Sequence, residues 1–172
     1  MFSYWAYILV GRNDTGKTSF QRNLVYLLCG VRYSRLACNV QRTIKHPHFP
    51  KGIETLSVSN RSYQEKESKY KSVANYFSRH FKEADLCFLS SHSRQDDVTE
   101  MIQELRRRYY NVAGVFWSNS DGEREREIAG LSWDEVLWIQ NPELTNSAEI
   151  DDQLSRISRE FSEMLITRAQ SQ

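Results

Sequence analysis

Short apolar runs alternate along the chain with longer stretches in which apolar residues recur every third or fourth position. The runs Trp5–Val10, Leu36–Val40, Leu86–Leu89, Val112–Trp117 and Val136–Ile139 read as strands, and Ile53–Val58, set among Thr and Ser, is a weaker sixth candidate. Several are apolar almost throughout, the pattern of strands covered on both faces. Between them, Phe20, Leu24, Leu27 and Leu28 form one helical stripe, and Val98, Met101, Ile102 and Leu105 a second. Asp96 and Asp97 stand near the start of the second helix and Arg106 to Arg108 near its end, an order that suits the helix dipole. Ile150, Leu154, Ile157, Phe161 and Leu165 define a last helix, which Asn146 or Ser147 can cap. This alternation predicts an α/β fold, a three-layer α/β/α sandwich around a mostly parallel sheet of about five strands.

Composition adds bounds. A chain of 172 residues, 40% hydrophobic and 26% charged, is expected to form a single domain over 1–172 with a sizeable core. Its 23 Lys and Arg against 22 Asp and Glu leave a net charge of +1, which gives no reason to expect nucleic acid or a membrane as partner. Cys29, Cys38 and Cys87 are widely spaced and form no metal-ligand pair, as expected of reduced core thiols in a cytoplasmic protein. The apolar start MFSYWAYILVG carries no basic lead or cleavage site and falls well short of the ~20 residues that span a bilayer. The least regular region, around 43–81, includes Pro47 and Pro50 and reads as an insertion that is lid-like or contacts substrate. His46 and His48, which flank Pro47, have no acids at ligand spacing and read as solvated or as lid contacts.

The sharpest signal is Gly11-Arg12-Asn13-Asp14-Thr15-Gly16-Lys17-Thr18, which fits GxxxxGK[ST] at every fixed position. It follows an apolar strand and opens an amphipathic helix from Lys17 to Leu28. Gly11 and Gly16 allow backbone shapes that a side chain would obstruct. The amides of Arg12, Asn13, Asp14 and Thr15 can then turn inward around a phosphate, with the positive end of the helix behind them. Lys17 is expected to reach the outer phosphates, Thr18 to offer its hydroxyl to Mg2+, and Ser19 to meet the inner phosphate.

Through this Walker A sequence the chain resembles the P-loop NTPase superfamily, with no family inside it indicated. The resemblance implies a nucleoside triphosphate, ATP or GTP, bound with Mg2+ and usually an acidic residue at the end of a second core strand. The strand beginning at Asp85-Leu86 ends instead in Ser90, Ser91 and His92, and Asp85 lies at its wrong end. Ser90 or Ser91 is therefore a candidate to hold a magnesium-bound water. Alternatively the acid comes from Glu54, Asp96 or Asp97, or the protein binds nucleotide and turns it over poorly. His92 is a candidate general base or water-orienting group. Arg94 is the best-placed arginine for developing phosphoryl charge, with Arg12, Arg42 and Arg61 behind it.

Base identity is thinly encoded. Switch proteins resembling Ras carry Asn-Lys-x-Asp after a late strand; here Ser118-Asn119-Ser120-Asp121 keeps only the final Asp. ATP is favoured over GTP, with Asn119, Asp121 or Asn141 near the base. Three functions compete: slow NTP hydrolysis, phosphoryl transfer to a small-molecule or nucleotide acceptor, and a non-hydrolysing module whose nucleotide stabilises a surface for a protein partner. A kinase reading would use Arg124 and Arg126 of DGEREREI as a mobile lid, and an interaction module would use some of Trp5, Trp117, Trp133 and Trp138 as anchors.

Overall fold

A computed structural model describes residues 4–171. Its strands are β1 (Trp5–Val10), β2 (Val40–Thr43), β3 (Thr55–Ser59), β4 (Leu86–Ser91), β5 (Asn111–Trp117) and β6 (Glu135–Ile139). Its helices are α1 (Lys17–Cys29), α2 (Glu67–Tyr70), α3 (Val73–Arg79), α4 (Gln95–Arg107), α5 (Glu123–Ala129) and α6 (Ser147–Gln170), with single 3-10 turns at Gln64–Lys66 and Ser118–Ser120. The six strands form one sheet in the order β2-β3-β4-β1-β5-β6. The pairs β3–β4, β4–β1, β1–β5 and β5–β6 are parallel, and only β2, at one edge, runs antiparallel, against β3. The fold is thus α/β with a mostly parallel sheet, of six strands rather than about five.

Both faces of the sheet are covered, which is why the central strands are apolar at successive positions. On one face Tyr7, Leu9, Phe88, Val115 and Trp117 pack under α1 and α6, whose stripes contribute Phe20, Leu24, Leu28, Ile157, Phe161 and Leu165. On the other, Ala6, Ile8, Val10, Leu89 and Phe116 pack under α3, α4 and α5 through Phe77, Val98, Met101, Leu105 and Ile128. Crossovers of one hand that travel in opposite directions across a sheet must lie on opposite faces. The chain leaves β1 through α1 towards the β2–β3 edge, and returns through α3, α4 and α5 to β4, β5 and β6.

The expected strand Leu36–Val40 does not form. Leu36 is buried, but Asn39 adopts φ 55° in a turn, so the strand starts at Val40 and continues to Thr43. Helix α2 is closed by Lys71, which has φ 68°, and Ser72 caps the start of α3 by accepting a 3.0 Å hydrogen bond from Asn75 N. Asn146, not Ser147, caps α6, its Oδ1 accepting from Ala148 N and Glu149 N. Cys29 and Cys87 are buried; Cys38 is only half-buried and donates to Asn60 Oδ1 at 2.7 Å. Among the described residues no helix is long and apolar enough to cross a membrane.

Candidate functional site

Adjacent parallel strands whose following segments depart to opposite faces leave a crevice at their carboxyl ends, the place where open α/β sheets hold ligands. Here those strands are β1 and β4, followed by α1 on one face and α4 on the other. The loop Gly11–Gly16 stands at that crevice, and its first amide, Gly11 N, donates to Ser91 O at the end of β4 at 3.2 Å.

The loop is shaped by two residues of positive φ, Asp14 at 61° and Gly16 at 95°. Gly16 is the N-cap of α1 and offers no capping side chain, and the first turn of α1 has no acid. The opening amides of the helix therefore have no intrahelical or side-chain partner and carry the positive end of its dipole. Gly16 is also confined by packing, since a Cβ there would lie 2.8 Å from Leu154 Cδ2 of α6.

Lys17 turns back into the loop. Its Nζ donates to the carbonyls of Gly11 and Arg12, each at 2.6 Å, and to Thr15 Oγ1 at 3.2 Å. Burial lowers its pKa to about 8, against the nearby carboxylates of Glu65, Asp14 and Glu125, which raise it. The loop is braced from outside as well. Ser120 Oγ accepts from Arg12 N at 3.1 Å and is bonded to the buried Glu125 carboxylate, which also takes the Ser93 hydroxyl. Asn141 Nδ2 donates to Thr15 O at 2.9 Å, and Gln153 Nε2 holds Asn141 Oδ1 at 2.7 Å.

In front of the loop lies a cleft of about 970 Å³. Asn13 to Ser19 form its floor, Arg22, Arg35 and Leu36 one wall, Arg61, Glu65 and Lys66 another, and Ile150, Asp151 and Leu154 of α6 a third. Five cations, Lys17, Arg22, Arg35, Arg61 and Lys66, face three carboxylates, Asp14, Glu65 and Asp151, so the cleft is biased towards anions. The exposed Thr18 side chain lines it beside Lys17. Ser19 lines it too, and its Oγ accepts from Arg22 Nη2 at 3.2 Å.

Other expected site residues are not gathered there. Ser90 and Ser91 are buried behind the loop and do not line the cleft. Ser90 Oγ donates to Gln21 Oε1 at 3.4 Å; Ser91 Oγ donates to His92 O at 2.9 Å and accepts from Gln64 Nε2 at 3.3 Å. Side chains pointing into a parallel sheet's covered faces are closed off by helices, which is why the end of β4 offers no group to the crevice. Arg94 points away, pairing with Glu67 at 3.3 Å and Asp97 at 3.2 Å. Arg12 leans on Asn119 O and Ser120, outside the cleft, and Arg42 is buried against the carbonyls of Val40 and Ala37. Asp121 is held in a two-point ion pair by Arg126, both contacts at 2.9 Å, and neither it nor Asn119 reaches the cleft. Asn141 is a strut of the loop. His46 and His48 sit at the far end of α1, where His46 N bonds Leu28 O, and of the irregular segment Asn60, Arg61, Glu65 and Lys66 line the cleft. Glu54 is at the opposite end of the sheet, before β3, its N–H bonded to Asp85. Asp96 does not line the cleft, and Asp97 is engaged by Gln64 and Arg94.

His92 is near but not in the cleft. Its Nε2 is buried without a hydrogen-bond partner, 3.7 Å from Glu65 Oε1. Burial and the Lys17 ammonium hold the imidazole below its usual pKa, against the influence of Glu65. Glu65 itself escaped the sequence reading, because it lies in a polar stretch with no motif or periodicity. Burial tends to raise its pKa, but the Arg61 hydrogen bond and charge, Ser62 and His92 outweigh that and keep it below the ordinary range. Among the described residues no cluster of three or more His, Cys, Asp or Glu could by itself hold a metal ion.

Neither the protein-family models nor the curated proteins compared with this chain match it.

Proposed function

We infer that this chain is a nucleotide-binding domain of the P-loop type that takes a nucleoside triphosphate together with magnesium and hydrolyses it slowly. The observation that carries this reading is the position of Lys17: a buried ammonium, coiled among three oxygens of the Gly11–Gly16 loop, beside uncapped helix amides. A cation held on carbonyls at the foot of an anion-favouring cleft is poised to exchange them for phosphate oxygens. Ordinary strand-to-helix turns require no lysine folded inward.

Magnesium suits the donor set. It keeps most of its waters and needs few protein oxygens when it bridges phosphates, and Thr18 presents a hydroxyl to the same cleft. Bound there, the ion would neutralise charge on the phosphoryl oxygens. The chain's own residues then have two tasks: Lys17 and the loop amides hold the phosphates, and the walls of the cleft limit water. Adenine is favoured over guanine, since the one acid after β5 that could read guanine is tied to Arg126. The free thiols suit a reducing, cytoplasmic setting.

The test is calorimetric titration with ATP and GTP, with and without magnesium, on the wild-type protein and Lys17→Ala, together with phosphate-release assays. Saturable binding that Lys17→Ala abolishes while the fold survives supports the reading. No heat with any triphosphate sinks it. Transfer of phosphate to an added acceptor would replace hydrolysis by a kinase reaction, and binding without release would leave an interaction module.

A further inference from the structure

We propose that Glu65 is the carboxylate that completes the cation site of the cleft, taking the place of the acid absent from the end of β4. The proposal rests on the nucleotide-binding reading above. The hydroxyls at the strand ends are closed off: Ser90 and Ser91 are buried and bonded, and Ser59 Oγ donates to Arg61 O at 3.3 Å. The remaining acids of the cleft are Asp14, inside the loop, and Asp151, out on α6. Glu65 stands on the wall between Lys66 and Arg61, in the same cleft as Lys17 and Thr18, and of the carboxylates it does most to raise the pKa of that ammonium.

The turn that carries Glu65 is fixed to the crevice rather than loose. Its neighbour Gln64 faces inward and clamps β4, the residue that follows it and α4. Gln64 Nε2 donates to Ser91 Oγ at 3.3 Å and to Asp97 Oδ2 at 2.8 Å, while Gln64 Oε1 accepts from His92 N at 3.1 Å. Consecutive residues of the turn thus divide the work: Gln64 anchors it to β4 and α4, and Glu65 faces the cleft. The carboxylate is not locked in its present bonds. Arg61 lies 3.0 Å away in a largely exposed pair, an interaction that water screens strongly, and Ser62 Oγ is 3.3 Å off. Behind it, the unpartnered His92 Nε2 at 3.7 Å closes the side away from solvent. Glu65 acts as a positioning residue, orienting a cation through its hydration shell while Thr18 and the phosphates supply the direct oxygens.

The experiment measures manganese as a paramagnetic stand-in for magnesium, titrated by electron paramagnetic resonance into the protein saturated with ATP, beside calorimetry of ATP alone in chelator. Glu65→Gln, and Glu65→Ala as a second variant, are compared with Asp14→Asn and Asp151→Asn, all checked by thermal melting. The expected result is a ~10–100-fold loss of manganese affinity in both Glu65 variants, with metal-free ATP affinity equal to or above wild type. Wild-type manganese affinity in either folded Glu65 variant that still binds ATP overturns this assignment alone, as does an equal loss in Asp14→Asn or Asp151→Asn. Absence of ATP binding by the wild-type protein overturns the nucleotide reading and this assignment with it.

Discussion

Asn141 donates a 2.9 Å hydrogen bond from its side-chain amide to the carbonyl of Thr15, across 126 positions of sequence. The second residue beyond β6 thereby holds the loop after β1 in shape, and Gln153 of α6 holds Asn141 in turn. Asn141→Ala would leave the Thr15 carbonyl and the Gln153 amide without this partner in a buried place. The expected cost is about 1–3 kcal/mol of stability, read by chemical denaturation, with weaker triphosphate binding by calorimetry. Stability and affinity both at wild-type level would show that the loop holds its shape unaided.

Gly16 is constrained twice, by φ 95° and by Leu154. Gly16→Ala is expected to destabilise by about 2 kcal/mol or more, from left-handed backbone strain and from a Cβ pressed on that leucine. The two causes separate in a double-mutant cycle. In a Leu154→Ala background the steric part disappears, and only the ~1–2 kcal/mol of backbone strain remains. Equal costs in the two backgrounds would mean that α6 does not limit the loop.

What the sequence disclosed follows from the range of the forces involved. β1, β4, β5 and α1 were legible because their apolar periodicity is imposed by two covered sheet faces. The loop Gly11–Thr18 was legible because its geometry is local: residues three to six apart bond one another, as Lys17 does with Gly11. Glu65 and the bracing of the loop by Asn141 and Ser120 were not, Asn141 having been expected near the base, because each owes its place to contacts with distant segments that leave no period or spacing. The misplacement of Ser90 and Ser91 has a related cause. Sequence order locates the end of β4 beside the crevice, but which hydroxyls are buried is decided by Gln21 and Gln64, from other elements. The edge strand slipped to Val40–Thr43 because an exposed strand at the rim lacks a two-faced apolar signature.

Asp121 retains the last letter of a guanine-reading motif, yet its carboxylate faces Arg126 and not the cleft. Asp121→Asn is therefore expected to leave the ratio of ATP to GTP affinity unchanged. Competition of each nucleotide against a fluorescent triphosphate analogue measures that ratio. Selective loss of GTP affinity would return Asp121 to the base and require the pair with Arg126 to open.

Lys17 is expected to give triphosphate binding, if the proposed reading holds, a pH dependence opposite in sign to its effect on stability. Burial lowers its pKa to about 8 in the folded protein, below the ordinary 10.5. Below pH 8 it is charged in both the folded and unfolded chain, and the full cost of burying that charge is present. Between pH 8 and 10.5 the unfolded chain holds the proton more tightly, so this cost to the folded protein is relieved as pH rises. A polyphosphate beside Lys17 adds negative charge and raises the pKa again. Metal-free ATP should therefore bind with proton uptake above pH 8, approaching one proton per site, and its affinity should fall as pH climbs. Calorimetry in two buffers of different ionisation enthalpy reads the uptake directly, and Lys17→Met should abolish it. Affinity that is flat from neutral pH to beyond 8, with no proton taken up, would show that the ammonium does not meet the phosphates.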